Sequence, residues 1–473
     1  FRLDLLMEDL VAIKRLYESR GFLDAEVVLD DLRFSDDKSR VIITIAIIEH
    51  QPYCVGNIEV VIERVEAGEP GAPPPEDLAF FTEERLRCML GLKTGQRYDG
   101  ETVDEGLEEI TKAYYGRSYM DAQVLPVERR GRERQNIVDV TLTVDEGRKS
   151  RLRRLHFVGN EYTRDKVLRR EVKVAPGGYI DRAELDRSLA RLNRLGYFER
   201  VTMLMRDVKC VNGEVVPGYK DVTYEVVEGS TGKLNFGVGI STDGGLLGSI
   251  SFQKDNFDIT RWPRSFKELT TRRAFTGAGQ TFNIFFAPGT ITSQFSVSFT
   301  EPHLFGTDLA LSLSAYKRRN FREDYDEDIL GYGVGLAYPL LEDDEYRYRL
   351  RAELRWRHEN NRILDIGPNA VPGAFLFAGN NELRSLSLGL RFVSVDDFAD
   401  PTWSTQTRLT GTYAGGVLGG SLNFLKVDLG HEQDFIVFVD DEGKRHRVTI
   451  RGDMGWAEPM PDTPEIPPFE RFY

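Results

Sequence analysis

The residues able to do chemistry are scattered. His50, His156, His303, His358, His431 and His446 lie far apart and form neither H-x-x-x-H nor HExxH, so no zinc-hydrolase site is written here. Cys54, Cys88 and Cys210 contain no CxxC and no ligand cluster. Cys54 and Cys88 fall in one repeat and read either as a pair in an oxidising compartment or as two separate small core residues. Gly237-Val238-Gly239 lacks the third glycine and the following helix of a dinucleotide fingerprint, and neither G-x-S-x-G nor a P-loop occurs. The acid runs Glu323 to Asp328 and Glu342 to Glu345 read as solvated loop and turn faces. No catalytic residue, metal site or cofactor is expected.

The totals narrow the alternatives. A chain of 473 residues exceeds one compact core and implies two to four domains. A net charge of −14 speaks against nucleic acid, whose phosphates want a basic face. No run approaches the ~18 apolar residues that a membrane helix needs. Any membrane crossing must therefore be made by strands, which leave no hydropathy peak. Phe1 opens straight onto a helical pattern and reads as a cut, so the missing signal segment carries no message about destination.

The elements that would position a site come in two styles. In the first half, three segments share one pattern: an amphipathic helix, a glycine or turn with an aromatic, then a strand. They are Leu10, Ile13, Leu16 and Tyr17 before Gly21-Phe22; Val103, Leu107, Ile110 and Tyr114 before Tyr119-Met120; and Leu185, Leu189 and Leu192 before Gly196-Tyr197-Phe198. Spacings of three and four put one apolar stripe on each helix. Closing strands follow at Val41 to Glu49, Val138 to Gly147 and Val222 to Gly229. New units open at Tyr53 to Ile58 and at Arg154 to Val158, the latter turning through Gly159-Asn160. Thr163 is the expected cap of a helix over Asp165 to Glu171. The unit is strand, helix, helix, strand, strand, and an acidic, Pro- and Gly-rich loop from Glu66 to Asp77 lengthens the second one.

Phe157-x-Gly159-Asn160, followed about forty residues on by Gly196-Tyr197-Phe198, resembles the POTRA domains of the BamA superfamily. The resemblance implies α+β repeats that bind unfolded outer-membrane chains by adding a strand to a sheet edge. The edge expected to do this is Val201, Thr202, Met203, Leu204, Met205 and Arg206; for any single one of them, the reading as an ordinary strand protected by its neighbours is the stronger.

From Lys233 onward the period becomes two. Leu350, Ala352, Leu354 and Trp356 oppose Arg349, Arg351, Glu353 and Arg355, while Leu386, Leu388, Leu390 and Phe392 oppose Ser385, Ser387, Gly389 and Arg391. Eleven such runs are countable, beginning with Leu234 to Ser241. Alternation alone also suits a soluble sheet. Runs of ~10 residues, charges in a row on the polar side, and long far-side loops at Arg319 to Asp328 and Glu359 to Glu382 favour an outer-membrane barrel. The stretch from Asp255 to Gly277, containing Asn256-Phe257-Asp258 and Trp262-Pro263, interrupts the short near-side turns, and its sequence offers no job for it.

Phe252-Gln253-x-Asp255-Asn256-Phe257, the Glu301-Pro302 pair, Asp396 with Pro401, and Pro467 to Tyr473 are similar to the barrel of the same superfamily. That resemblance implies an antiparallel transmembrane β-barrel, incomplete here at about eleven of about sixteen strands. The expected boundaries are residues 1–50 for a partial repeat, 51–147 and 148–230 for two repeats, and 231–473 for the barrel part. It further implies an assembly and insertion factor in the bacterial outer membrane with its repeats in the periplasm. Its partners would be unfolded outer-membrane proteins, accessory assembly lipoproteins and outer-membrane lipid. The gate would be the first barrel strand, Lys233, Leu234, Asn235, Phe236, Gly237, Val238 and Gly239, whose glycines weaken packing or simply allow curvature. A two-partner-secretion or autotransporter-assembly pore of the same superfamily, a passive porin and a soluble repeat protein are the alternatives. The porin lacks a reason for residues 1–229, and the soluble protein would not need detergent.

Overall fold

The helical stripes of the first half each need a sheet to cover them, and small sheets follow each in turn. The computed structural model describes residues 2–35, 40–63, 80–130, 136–210, 212–241, 245–265, 267–268, 274–322, 324–343, 347–396, 401–440 and 444–472. The first repeat contributes α1 (Leu3–Ser19) and the antiparallel pair β1 (Glu26–Phe34) and β2 (Val41–Ile48). The second contains β3 (Cys54–Glu63), α2 (Glu83–Leu90), α3 (Gly100–Tyr115), β4 (Gln123–Arg130) and β5 (Ile137–Asp145). Its sheet runs β3-β5-β4, with β3 parallel to β5. The third repeats the plan with β6 (Arg151–Val158), α4 (Asp165–Arg169), α5 (Arg182–Arg194), β7 (Phe198–Lys209) and β8 (Val215–Glu228), in the order β6-β8-β7.

In the second repeat every other residue of β5 is buried, which puts Val138, Val140, Leu142 and Val144 against Leu86, Ile110 and Tyr114. Thr82 and Asp99 accept backbone N–H groups at the starts of α2 and α3, satisfying donors that a helix leaves open. The buried Tyr114 hydroxyl donates to Glu146 at 2.8 Å. Burial, then this carboxylate, hold its phenol well above the usual range. Lys220 of β8 is paired with Asp207 and with Asp121 of the preceding repeat. Burial works against its charge, but the hydrogen bonds to the two carboxylates outweigh that and raise its pKa.

Among the described residues the second half forms one antiparallel sheet of eleven strands. They are β9 (Gly232–Ser241), β10 (Gly245–Phe257), β11 (Gln280–Ala287), β12 (Thr292–Glu301), β13 (Ala310–Phe321) and β14 (Asp326–Glu342), followed by β15 (Tyr348–Leu364), β16 (Gly379–Val395), β17 (Trp403–Ala414), β18 (Phe424–Val439) and β19 (Arg445–Pro459). Each strand pairs with its sequence neighbours, leaving β9 and β19 at the two ends. Register makes the two faces distinct. Phe299, Leu313, Val334, Trp356, Leu386, Tyr413 and Leu425 line up in one apolar row. Next to it, on the other face, run Thr300, Ser312, Gly335, Arg355, Ser387, Thr412 and Lys426. On that polar face the Tyr316 side chain crosses β14 over Gly331, where a Cβ would stand 2.5 Å from its ring, and its hydroxyl donates to Glu359 on β15. At one end, α6 (Pro372–Leu376) and the segments 365–378, 415–423 and 460–472 build a small core around Phe377, Leu422 and Phe424 that includes Phe469. Glu470 there accepts from Arg357 at 2.7 Å. Among the described residues no helix is long and apolar enough to cross a membrane, which leaves crossing by strands untouched.

Several sequence expectations are corrected. The stretch Arg319 to Asp328 is mostly ladder: β13 runs to Phe321 and β14 begins at Asp326, because Lys317–Asp328 and Arg319–Asp326 ion pairs keep polar residues in register. Likewise β15 reaches Leu364 and β16 starts at Gly379, so only 365–378 connect them. Glu327 is buried against Asn320 and Arg322 rather than solvated. Cys54, Cys88 and Cys210 are free and exposed, neither paired nor in a core. Thr163 does not cap α4: its hydroxyl is taken by Glu228 and Asn256, Arg164 occupies the cap position without a side-chain bond, and the Arg164 N–H goes to the Gly277 carbonyl at 2.9 Å. The acidic loop at Glu66 to Asp77 lies outside the described residues.

By packing, the chain divides into one unit of Phe1–Val158, Glu171–Arg191 and Val201–Glu225, and another of Gly159–Arg170, Leu192–Arg200 and Val226–Tyr473. The turn and the helix end of the third repeat thus pack with the second half.

Candidate functional site

Strand β9 carries the residues expected to form a gate. Lys233 to Ser241 pair with β10 residue for residue, and among the described residues the opposite edge has no strand. An edge of this kind presents a row of unpaired N–H and C=O groups. Leu234, Phe236, Val238 and Ile240 share the apolar face, and Phe236 and Val238 are 72% and 85% exposed. Behind them Asn235 donates to the Ser251 hydroxyl at 3.2 Å, and Lys233 lies 3.4 Å from Asp255. Gly237 leaves room for the Ser249 hydroxyl, which a Cβ would approach to 2.6 Å. Strand β9 is thus an apolar-faced edge held from one side.

The second expected edge lies in the repeats. Val201 to Arg206 belong to β7, the outer strand of the third repeat's sheet. Val201 is buried, Met203, Leu204 and Met205 are half-buried, and Thr202 and Arg206 are exposed. The equivalent outer strand of the second repeat, β4, was missed from sequence. There Leu125 and Val127 are exposed beside Pro126, which lacks a ladder N–H. Two exposed apolar residues flanking a proline were the available signal.

The family-motif residues are not gathered into one pocket; they shape turns. Phe157 stacks on Tyr224 with ring centroids 6.0 Å apart. Gly159 takes φ +91°, where any side chain is strained, and a Cβ would lie 2.0 Å from the Val226 carbonyl. Asn160 donates to the Thr163 carbonyl at 3.1 Å. Gly196 turns the chain so that Tyr197 is buried with its hydroxyl on the Gly279 carbonyl, and Phe198 packs edge-on to Tyr197. Glu301 accepts from Gln280 at 2.9 Å and from the His303 N–H, fixing the turn at Pro302. Asp396 accepts the N–H groups of Thr402 and Trp403, the two residues that follow Pro401.

The interruption after β10 now has a physical account. Asn256, with φ +52° and 1% exposed, donates to the Thr163 hydroxyl at 2.8 Å and accepts the Gly279 N–H at 2.9 Å. Glu228, the last residue of β8, accepts the N–H groups of Tyr162 and Thr163 at 2.9 and 2.7 Å. The buried Asp258 pairs with Arg164, which also donates to Thr260 at 2.7 Å. Gly277 approaches so closely that a Cβ would stand 2.1 Å from the Tyr162 carbonyl. Three residues separate Glu228 from β9, and Thr231 accepts the Asp255 N–H at 2.8 Å. The base of β9 is therefore held inside a satisfied, buried polar network. Among the described residues no group of His, Cys, Asp and Glu is placed to hold a metal ion.

Comparisons with known proteins fit this architecture. Residues 79–147 and 150–229 match the POTRA surface antigen variable number repeat, and residues 275–473 match the Omp85 superfamily domain. The outer membrane protein assembly factor BamA of Neisseria meningitidis is 25% identical over 98% of this chain and 54% of its own length. BamA of Nitratidesulfovibrio vulgaris is 26% identical over 89% of this chain and 48% of its own. The chain thus spans about half the length of these relatives. The crystal structure of Haemophilus ducreyi BamA lacking POTRA domains 1–3 superposes with a TM-score of 0.63 at 19% identity, covering 89% of this chain and 73% of that one.

Proposed function

Since the chain belongs to the Omp85 superfamily, joining POTRA repeats to a barrel-forming sheet, we propose that it inserts β-barrel proteins into the bacterial outer membrane. On this reading the sheet sits in the outer membrane with the repeats in the periplasm. The observation that supports it is the join of POTRA repeats to an antiparallel sheet whose first strand, β9, carries an apolar face and, among the described residues, pairs with β10 alone. An incoming strand that pairs there satisfies its own backbone without meeting lipid unpaired, which is the main cost of entering a bilayer. Before that, β7 at Val201 to Arg206, and β4 beside it in the array, offer edges to an extended client; backbone hydrogen bonds make such binding tolerant of sequence. Accessory lipoproteins belong to the same proposal as further partners. No covalent step is required, because burial of the client's apolar face drives insertion.

The test uses the full-length gene product in liposomes with a urea-unfolded barrel client. A photo-crosslinker replacing Phe236 or Val238 is expected to capture the client, whereas one replacing Leu313, inside the sheet, is not. Equal capture at all three positions, or client folding no faster than in empty liposomes, defeats the proposal.

A further inference from the structure

On the polar face, register places three arginines directly opposite one another on successive strands: Arg351 on β15, Arg391 on β16 and Arg408 on β17. Like charges facing across a ladder repel, and neighbouring strands lie only ~4.8 Å apart. Little in the protein answers them. Arg391 donates to the neutral Gln406 at 2.8 Å, and Arg408 comes no nearer than 3.7 Å to Asp453. Arg351 makes no ion pair among the described residues. Glu353, two residues along β15 from Arg351, is engaged by Arg355 at 2.6 Å, and Asp453, which continues the row past Gly430, is a second carboxylate beside it. The next position in the row is Gly430, where a Cβ would stand 2.7 Å from Asp453 and 3.2 Å from Arg408, so the gap that lets the guanidinium extend exists only with glycine. The three arginines border a cavity of about 350 Å³ that also takes in Gln406, Thr410 and Gly389. A basic cluster of this kind in a chain of net charge −14 is a local exception.

We propose that this cavity binds a compact, multiply charged phosphate group. Guanidinium forks match phosphate oxygens in pairs. Three of them along a line of ~10 Å, set by the strand spacing, exceed what one carboxylate can neutralise and suit two phosphates or one phosphate with two ionised oxygens. A cavity of this volume accommodates a diphosphate with its water. The bound group offsets the repulsion among the arginines, so it also steadies the registry of β15 to β17. The source is either a soluble phosphate or the headgroup of a phosphate-bearing lipid, and the chemistry is the same for both.

The experiment titrates the full-length protein in phosphate-free detergent buffer with pyrophosphate, with inorganic phosphate, and with vesicles of phosphatidic acid in phosphatidylcholine. Saturable pyrophosphate binding and a raised melting temperature are expected for the parent. R391Q should weaken binding by roughly tenfold or more and, lacking the repulsion, melt no lower than the parent without anion. R451Q, elsewhere on the same face and paired with Glu432, should leave binding unchanged. Stronger binding to phosphatidic acid vesicles than to pyrophosphate points to a lipid headgroup, and the reverse to a soluble ligand. Equal binding by the parent and R391Q, preference for an acidic peptide, or R391Q melting lower without anion overturns the proposal.

Discussion

Asp221 shows how one side chain ties a repeat to pH. Arg153 donates to it through Nε at 3.0 Å and through a second guanidinium nitrogen. That hydrogen bond outweighs burial and holds the carboxyl below its usual range. The folded value lies under the unfolded one of about 4, so the contribution is fully present above pH 4 and is lost as pH falls through the folded value. The urea midpoint of the repeats should therefore rise between pH 3 and pH 6 by less in D221N than in the parent. An identical rise in both would remove Asp221 from the account. Arg153 is exposed and Asp221 half-buried, so water screens the pair and the effect is expected to be small.

At the scale of elements, the network around Asn256 makes a sharper prediction. Asn256→Ala strands the buried Gly279 N–H and removes a donor from Thr163. Unsatisfied buried groups cost about 1–3 kcal/mol, so amide exchange at Thr163, Arg164 and Gly279 should speed up roughly tenfold to a hundredfold. Gly277→Ala should do the same through its collision with the Tyr162 carbonyl and its φ of +126°. Unchanged exchange in both variants would show that the segment after β10 is not held by these bonds. This network was invisible in sequence, because Asn256 and Thr163 are 93 positions apart and a positive φ at Asn leaves no pattern. The elements themselves were legible. Stripes such as Val103, Ile110 and Tyr114, and alternation such as Arg349 to Trp356, are direct consequences of helical and strand periods. Strand ends were not, since β13 and β14 continue through Lys317, Arg319, Asp326 and Asp328, where cross-strand ion pairs replace the apolar signal. The edge positions of β7 and β9 followed from order alone, and the arginine row needed register to appear.

For the whole molecule, the two faces of the large sheet must meet different solvents. Spin labels at Leu311 and Leu388 in reconstituted full-length protein should report a hydrocarbon environment, and labels at Ser312 and Ser387 should report water. Four equal readings would be incompatible with a membrane-spanning sheet. The free apolar surface on Val238, Leu388 and Met454 sets the same demand, since side chains so exposed in water would drive aggregation.

The strictly sequential order of β9 to β19 has a kinetic corollary. Every ladder joins chain neighbours, so no segment must wait for a remote partner, and the loop-closure entropy of each hairpin is modest. The sheet can zip one hairpin at a time, in either direction, and each intermediate displays a single growing end. Tyr316, reaching over Gly331 to Glu359, adds a hydrogen bond that spans three strands, so it can form only after β13, β14 and β15 have all been laid down in order.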